Sequence, residues 1–303
     1  MSKNIPVKKE VLFIVNPVSG GRRKNKLQDT LLRHLNNKKY NASIVFTEYA
    51  GHAALLTEQA VKNNIDIVVA VGGDGTINEV ASKLINTNTI LGIVPLGSGN
   101  GLARHLGIPR YIPWAIRLIN NLKVTSIDTA TINGKPFISI AGVGFDALVA
   151  KKFSDSERRG FFTYAHIVAN YFMYYKPKKY KIKLDDGSII KTKALFISFA
   201  NSNQFGYNTT IAPNARLRDG KLDLSIVKKP KFFDLPLVAN LLLLRAIDKS
   251  QYVKTLQTKH FTIYQRKNRN VNIDGEAIKL GKSLEVKVNP LSLKIIIPHH
   301  NVQ

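Results

Sequence analysis

The stretch from Ile65 to Gly107 constrains the fold of this chain more than any other. It contains two apolar runs, IDIVVAV and ILGIVPL, and each is followed by a glycine-rich turn that opens a helix. Continuous, β-branched runs of this length are typical of strands buried on both faces of a parallel sheet. The segment therefore predicts two consecutive strand–turn–helix units.

The first turn places Gly72, Gly73 and Gly75 around Asp74, and the second reads GSGNG from residue 97 to 101. Glycines at the start of a helix let main-chain N–H groups approach an anion, and the helix N-terminus adds a positive partial charge. A tight connection without any ligand has the same glycines. Because a plain connection does not need Asp74, and because the design occurs twice, we favour one phosphate site over two purely structural turns.

Length, charge and cysteine content bound the class of protein. A chain of 303 residues is long for one domain, so two are expected. The absence of cysteine excludes disulfides, thiol nucleophiles and zinc sites built on cysteine. A formal net charge of +25 predicts attraction to a polyanion: nucleic acid, an anionic membrane surface or a phosphorylated substrate.

Two apolar segments of the sequence are too short to be a signal peptide or a transmembrane helix. The apolar part of the N-terminus is too short for a signal peptide. The run from Leu235 to Leu244 is too short to span a bilayer and is interrupted by Pro236 and Asn240. We therefore expect a cytoplasmic protein whose membrane contact is peripheral, at the inner membrane face.

Strands and helices alternate from the first apolar run, Val11–Val15, through the glycine turns. This alternation predicts a doubly wound α/β domain. Ligands of such sheets bind beyond the carboxyl ends of the strands. The residues that follow successive strands there are Asn16, Thr47, Asp74 and Ser98.

Three motifs in the order VNPVSGG, VGGDGTINE and PLGSGNGLARHLG resemble the diacylglycerol kinase catalytic domain family, which includes bacterial lipid kinases and sphingosine kinases. NAD kinases and phosphofructokinases have turns similar to GGDG, but the flanking motifs favour the lipid kinases. The resemblance spans most of the chain and implies an NAD kinase/phosphofructokinase-like first domain that binds ATP. The implied ATP-binding residues are Asn16, Ser19, Gly20, Thr47, Gly72, Gly73, Asp74, Gly75, Thr76, Asn78, Ser98 and Asn100.

The chain departs from part of this family at Gly101, where many bacterial diacylglycerol kinases have an aspartate. Here the turn is more similar to that of sphingosine and ceramide kinases. The resemblance therefore leaves open which lipid is the acceptor.

The second half has a different pattern, with alternating runs around Asn133-Gly134 and Asp186-Gly187. Such hairpin signals, repeated along the chain, predict a β-sandwich. In similar proteins the last strand returns to the first domain. We therefore predict an ATP-binding domain at residues 1–128, joined by 291–303, and a lipid-acceptor domain at 129–290. The segment from Phe232 to Ile247 is predicted to be a helix that packs in the core, with membrane contact as the lesser alternative.

Asp146 follows a GVGF turn. It could cap the helix that begins there. The resemblance to sphingosine kinases implies instead that it receives the head group of a lipid acceptor. Arg158 and Arg159 open a segment in which Lys and Arg outnumber Asp and Glu and alternate with Phe and Tyr. A solvated face would have this charge, but the aromatic residues favour contact with an anionic bilayer.

A Mg²⁺ site is implied by the loop from Ala212 to Asp223, which resembles the family's Pro-x-Ala-x-x-x-Asp-Gly-x-Leu-Asp pattern. Asp219 would supply a carboxylate, and Arg216 and Lys221 would supply main-chain carbonyls, which are the oxygen ligands that hard cations take. Without a metal, Asp219-Gly220 is an ordinary turn.

Asp274-Gly275-Glu276 is the strongest motif of the second half. Phosphoryl transfer to a hydroxyl needs a base for the proton and metal ions that neutralise charge on the phosphates. One of the two carboxylates can be the base, and the other, with Asp74, can organise Mg²⁺. We favour Glu276 as the base, with Asp274 close behind.

These features together predict an ATP- and Mg²⁺-dependent kinase that phosphorylates a hydroxyl of a membrane lipid: diacylglycerol, a sphingoid base or a related molecule. The alternatives are a soluble NAD kinase-like phosphotransferase and a basic nucleic-acid-binding protein. No helix-turn-helix, zinc or RNA-binding motif accompanies the charge, so we expect no nucleic-acid partner. The sequence leaves open whether the chain forms a homodimer.

Overall fold

The computed structural model describes residues 8–19, 24–156, 160–206 and 209–299. The chain forms two compact units. Of the described residues, the first unit contains those up to Ile127 and those from Leu291 to His299, and the second contains those from Asp128 to Pro290.

The helices and strands follow in this order: β1 (Lys9–Val15), α1 (Lys24–His34), β2 (Tyr40–Phe46), α2 (His52–Lys62), β3 (Ile67–Gly72), α3 (Asp74–Leu84), β4 (Ile90–Pro95), α4 (Gly101–His105), α5 (Ile112–Asn121), β5 (Val124–Ile132), β6 (Lys135–Phe137), β7 (Ile140–Gly144), α6 (Phe145–Ser154), α7 (Phe161–Phe172), β8 (Lys178–Leu184), β9 (Ile189–Ala194), β10 (Phe196–Ala200), β11 (Gln204–Gly206), β12 (Thr209–Thr210), β13 (Leu222–Val227), α8 (Leu235–Leu243), β14 (Val253–Thr258), β15 (His260–Gln265), β16 (Asn270–Ile273), β17 (Glu276–Lys279) and β18 (Ser283–Ile296). Short 3-10 turns cover Phe232–Asp234 and Ile247–Lys249.

The first unit is built on a parallel sheet with the strand order β2-β1-β3-β4, and the C-terminal part of β18 pairs with β4 through Ile295 and Leu91. Every residue of β3 is buried, as expected for a β-branched strand covered on both faces. Leu27 and Leu31 of α1 and Ile116 of α5 belong to the core that covers the sheet. The predicted α/β architecture is confirmed.

The second unit is a sandwich of two antiparallel sheets. One has the order β14-β13-β10-β7-β16-β17, and the other places β18, β15, β8 and β9 side by side, with β5 paired to β18. Phe137, Phe199 and Phe261 meet edge to face in the core, with ring centroids 6.1 and 5.5 Å apart. The predicted β-sandwich is confirmed, including the Asn133-Gly134 hairpin turn between β5 and β6, where both residues have positive φ.

The predicted helix from Phe232 to Ile247 is wrong in extent and in environment. It is divided into a 3-10 turn, α8 and a second 3-10 turn. Pro236 lies in the first turn of α8, and its ring excludes a regular helical turn before it. Arg245, with a positive φ of 56°, lies between α8 and the second 3-10 turn and interrupts the helix there. Phe233 is 90% exposed and Leu237 58%. These side chains do not pack in the core, which the sandwich strands already fill. Within the described ranges no helix is long and apolar enough to cross a bilayer.

Candidate active site

In the first unit, the residues that were predicted to bind ATP lie where the parallel strands end. The N–H of Asn16 donates to Val71 at 2.9 Å, and that of Thr47 donates to Val15 at 2.9 Å. The carboxyl ends of β1, β2 and β3 are therefore aligned at one edge of the sheet. This is the edge where doubly wound sheets bind their ligands.

The two glycine turns meet at this edge. A Cβ atom added to Gly97 would lie only 2.7 Å from Cα of Gly73, and one added to Gly99 would lie 2.5 Å from Oδ2 of Asp74. Glycine is therefore required at Gly97 and Gly99 for packing alone.

Asp74 joins the two turns. It is the first residue of α3, and its two carboxylate oxygens accept hydrogen bonds from the N–H groups of Asn100 and Gly101, both at 2.7 Å. These donors lie at the start of α4, where N–H groups have no partner within the helix. The sequence interpretation assigned Asp74 to Mg²⁺. The structure adds a second task, which is to hold the GSGNG turn against the GGDG turn.

Several predicted ATP-binding side chains are engaged within the turns. Asn16 donates from Nδ2 to the Thr76 hydroxyl at 3.2 Å and accepts from the Val18 N–H at 3.0 Å. The buried Asn100 side chain bonds both main-chain groups of Gly97, at 3.1 and 2.6 Å. Their contribution to an anion site is therefore to shape the main chain.

Other predicted positions are placed at the same turns. Ser19 donates its N–H to the Asn16 carbonyl at 3.2 Å. Asn78 lies in α3, one turn beyond Asp74, and Ser98 is the exposed tip of the second turn. Gly20 lies outside the described residues.

Two arginines at the second turn were missed by the sequence interpretation. Arg104 donates to the Gly99 carbonyl at 2.6 Å and to that of Ser98 at 3.4 Å, and Arg110 donates to the Gly97 carbonyl at 3.4 Å. They bring positive charge to the carbonyl side of the turn. The only signal in the sequence was their closeness to GSGNG, which did not distinguish them from other basic residues of a strongly basic chain.

In the second unit, Asp274 is held by main-chain donors. Its carboxylate accepts from the N–H groups of Ile138, Ser139 and Ile140 at 2.7, 2.9 and 2.8 Å. Its own backbone has a positive φ of 47° at the turn between β16 and β17. Hydrogen bonds from three main-chain groups to one carboxylate make this aspartate the anchor of the turn.

Glu276 has a different environment. It is the first residue of β17 and is exposed, and no side-chain hydrogen bond or ion pair is formed by it within the part of the chain that the structure describes. Of the two carboxylates in the motif, Glu276 is therefore the one whose oxygens are available to a substrate hydroxyl. The assignment of Glu276 as the base stays a prediction.

Asp146 is connected to the same turn through Asn272. The Asn272 Nδ2 donates to both carboxylate oxygens of Asp146 at 3.0 Å, and its Oδ1 accepts from the Gly275 N–H at 2.9 Å. Burial raises the pKa of Asp146 from 3.8 to about 7, although the hydrogen bond from Asn272 lowers it in part. Asp146 is not the helix cap, because Gly144 holds that position at α6.

The register of the sheet explains how Asp146 fits. Cross-strand pairing sets Ser225, Ser198, Gly142 and Asn272 in one row, and paired residues share a face. Gly142 has no side chain, and a Cβ there would lie 2.3 Å from Oδ2 of Asp146. The Asp146 carboxyl therefore occupies a gap in a buried polar row, at a position that leaves only 5% of the residue exposed. The sequence interpretation assigned no role to Asn272 or to the serines.

The predicted metal loop is attached to Asp128. The N–H of Gly220 donates to Oδ2 of Asp128 at 2.7 Å, and Asp219 accepts the N–H of Lys221 at 3.0 Å. Burial, aided by the charge of Asp219, raises the pKa of Asp223 to about 6. The oxygen donors suit a hard cation, but within the described ranges no group of three or more His, Cys, Asp or Glu could hold a metal ion. Mg²⁺ at Arg216, Asp219 and Lys221 stays a prediction, and Arg158 and Arg159 lie outside the described residues.

The sequence and fold match known proteins across both units. The diacylglycerol kinase catalytic domain model matches residues 10–132, and the YegS C-terminal NAD kinase beta sandwich-like domain model matches residues 139–297. A diacylglycerol kinase of Staphylococcus aureus is 28% identical over 274 residues, which cover 89% of this chain and 87% of that protein.

Two solved structures are similar in fold. A diacylglycerol kinase from Bacillus anthracis has a TM-score of 0.76 at 22% identity, covering 96% of this chain and 97% of the other. Yeast NADH kinase, solved with NADH, has a TM-score of 0.54 at 12% identity, covering 97% of this chain and 84% of the other.

These matches identify the class of the protein as a kinase that phosphorylates an alcohol group. The chain belongs to the family defined by the YegS C-terminal NAD kinase beta sandwich-like domain, whose model matches more than half of it, and its first unit matches the diacylglycerol kinase catalytic domain. As a kinase of this family it uses ATP.

The close approach of the two glycine turns can be tested by adding one methyl group. Gly97→Ala should lower the free energy of unfolding by about 1–3 kcal/mol, because the new Cβ overlaps main chain that cannot rotate away. Gly75→Ala is the matched control, since a Cβ there meets nothing within 4 Å and should change stability by no more than about 1 kcal/mol. Urea unfolding of both variants measures this, and equal midpoints would contradict the close packing.

The burial of Asp146 predicts a pH dependence of stability. Its folded-state pKa of about 7 lies above the ordinary 3.8, so the neutral carboxyl stabilises the folded state, fully at low pH and less as the pH rises through about 7. Between about pH 5 and about pH 8 the free energy of unfolding should fall by about 2–3 kcal/mol more in the wild type than in Asp146→Asn.

The matched control for this pH dependence is Asp155→Asn, which changes an exposed carboxyl at the end of the same helix. It should keep the wild-type slope in urea unfolding at the two pH values. A wild-type slope in Asp146→Asn as well would show that Asp146 ionises freely.

Proposed function

We propose that this chain transfers the γ-phosphate of ATP to a hydroxyl group of a membrane lipid, with diacylglycerol as the first candidate acceptor. The observation that carries the proposal is the hairpin of the second unit, where Glu276 is exposed beside an Asp274 anchored by three main-chain N–H groups. The Staphylococcus aureus relative is named for diacylglycerol and matches along nearly all of both chains.

On the donor side, the N–H groups at the start of α3 would bind the phosphates of ATP, because those of Gly97, Asn100 and Gly101 already donate to the Asn100 and Asp74 side chains. Arg104 and Arg110 would add positive charge at the second turn. Asp74 keeps the turns together, and it would also be a carboxylate ligand of the metal ion. Mg²⁺, when bound, would neutralise charge that moves along the phosphates.

On the acceptor side, Glu276 would accept the proton of the lipid hydroxyl. The hydroxyl oxygen forms a bond to the γ-phosphorus, while the bond between that phosphorus and the bridging oxygen breaks and ADP leaves. Asp274 would keep the hairpin in place during this step. Asp146, through Asn272, would fix the Gly275 N–H and so the direction in which Glu276 leaves the turn.

The charge of the chain suits this setting. A net charge of +25 attracts a protein to anionic lipid, and a peripheral protein that stays at the inner membrane face would meet its acceptor there. We propose that this positive charge binds anionic lipid and not nucleic acid.

Replacing the proposed base separates catalysis from folding. Glu276→Gln should lower kcat by about 10²–10⁴-fold and leave the unfolding midpoint unchanged, because the side chain is exposed. Glu285→Gln, at another exposed carboxylate of the same unit, is the control and should retain wild-type turnover. Wild-type turnover in Glu276→Gln would remove this residue from the mechanism.

The acceptor can be identified with labelled ATP and a panel of diacylglycerol, sphingoid base, ceramide, phosphatidylglycerol and NAD, with and without Mg²⁺. We expect Mg²⁺-dependent labelling of a lipid hydroxyl, with diacylglycerol labelled fastest. Labelling of NAD alone would favour the NAD kinase-like alternative, to which the second family model and the yeast NADH kinase fold are related. If none of these acceptors becomes labelled, the proposal is wrong.

A further inference from the structure

Helix α8 of the second unit is strongly apolar, although its described side chains are exposed or only half-buried. α8 has the sequence LPLVANLLL, with Asn240 as its one polar residue, and none of its described side chains is buried. A helix that is apolar on all sides is normally enclosed by the rest of the protein. α8 is instead a surface feature.

The exposed apolar surface extends on both sides of the helix. Phe232 is 65% exposed and Phe233 is 90% exposed in the 3-10 turn before it, and Leu244, directly after it, is 68% exposed. We call the segment Phe232–Leu244 the apolar ridge. Exposed and half-buried apolar side chains grouped in this way mark a surface that binds another molecule or a membrane.

The apolar ridge is anchored at its base. The Tyr252 hydroxyl donates to the Asp234 carboxylate, and Pro236 restricts the first turn of α8. Just before the ridge, Lys229 donates from Nζ to the carbonyls of Met173 and Tyr175, at 2.8 and 3.0 Å. The ridge is therefore fixed to the end of α7, where Tyr174 is also exposed.

The positive charge near the apolar ridge indicates what kind of partner binds there. Lys228 and Lys231 are exposed immediately before it, and the chain as a whole carries a net charge of +25. A second copy of the chain would bring equal positive charge to the same surface, which opposes association. An anionic bilayer offers the opposite charge to the lysines and an apolar interior to the phenylalanines and leucines.

We propose that the apolar ridge inserts into the interfacial layer of anionic bilayers and holds the second unit at the membrane, with Phe232 and Phe233 as the deepest residues. Aromatic side chains favour this layer. The inference rests on the proposed function in that it assumes an acceptor located in the membrane. Its test needs neither ATP nor turnover, so the two can fail separately.

The first experiment is co-sedimentation of the full chain, without nucleotide, with phosphatidylglycerol vesicles. The double variant Phe232→Ser/Phe233→Ser should bind at least about tenfold more weakly than the wild type, since each phenylalanine loses its transfer from water to lipid. Both side chains are exposed, so the fold is expected to persist. Equal binding of variant and wild type would overturn the proposal.

The chain offers a matched control. Tyr111 and Trp114 form another exposed edge-to-face aromatic pair, with ring centroids 5.5 Å apart, compared with 5.8 Å for Phe232 and Phe233. Tyr111→Ser/Trp114→Ser should bind the same vesicles as the wild type does. If it loses as much binding as the ridge variant, the attraction belongs to exposed aromatic residues in general and the ridge has no special role.

A second measurement reports insertion directly. The chain has a single tryptophan, so Phe233→Trp in a Trp114→Phe background carries one probe, on the ridge. Its emission should shift to the blue and be quenched by brominated lipid when phosphatidylglycerol vesicles are added, and should change little with phosphatidylcholine vesicles. An unchanged emission would overturn the proposal. It would also be overturned if the wild type were a dimer, and the Phe232→Ser/Phe233→Ser variant were a monomer that bound vesicles as the wild type does.

Discussion

The hydrogen bond from a main-chain N–H to an aspartate carboxylate shapes the candidate site in both units. Asp74 holds the start of α4 against the first glycine turn, and Asp274 holds three successive N–H groups beside the β16–β17 hairpin. A carboxylate forms strong hydrogen bonds with such donors, and a buried N–H that loses its acceptor costs about 1–3 kcal/mol. Each aspartate therefore fixes main chain that a substrate would contact.

The acidic residues of the candidate site differ in whether their carboxylates are hydrogen-bonded within the protein. Asp74 and Asp274 have their oxygens committed to the fold, while Glu276 has no such commitment and is exposed. Asp146 is buried over Gly142 and orients the Asn272 amide toward Gly275. A general base must be positioned and yet able to take a proton. Among the described residues, Glu276 has an exposed side chain next to a hydrogen-bonded turn, which suits that role.

The distribution of apolar residues follows a second constraint. The sandwich core of the second unit is filled by sheet residues such as Phe199 and Phe261. α8 is left outside it, although its composition resembles that of a core segment. The lysines beside it and the net charge of +25 give this exposed surface an electrostatic partner in anionic lipid.

Much of the architecture could be predicted from local pattern. Continuous β-branched runs, glycine turns and Asn-Gly hairpins each depend on a few consecutive residues, and they were sufficient for the α/β unit, the sandwich and the edge where Asn16, Thr47 and Gly72 lie. The composition of α8 was also clear, but not its surroundings. Whether an apolar helix is enclosed depends on how much core other elements have filled, and no local pattern contains that information.

The roles of the carboxylates were decided by tertiary structure. The sequence by itself determined that Asp74, Asp274 and Glu276 lie in turns suited to phosphate chemistry. It could not determine that Asp74 reaches Gly101 or that Asp274 reaches Ile138, because those contacts join segments far apart in the chain. The polar row of Ser198, Gly142 and Asn272 likewise exists only through the register of the sheet. Hydrogen bonding and burial determine which carboxylates are engaged within the protein, and both arise only when distant segments are packed together.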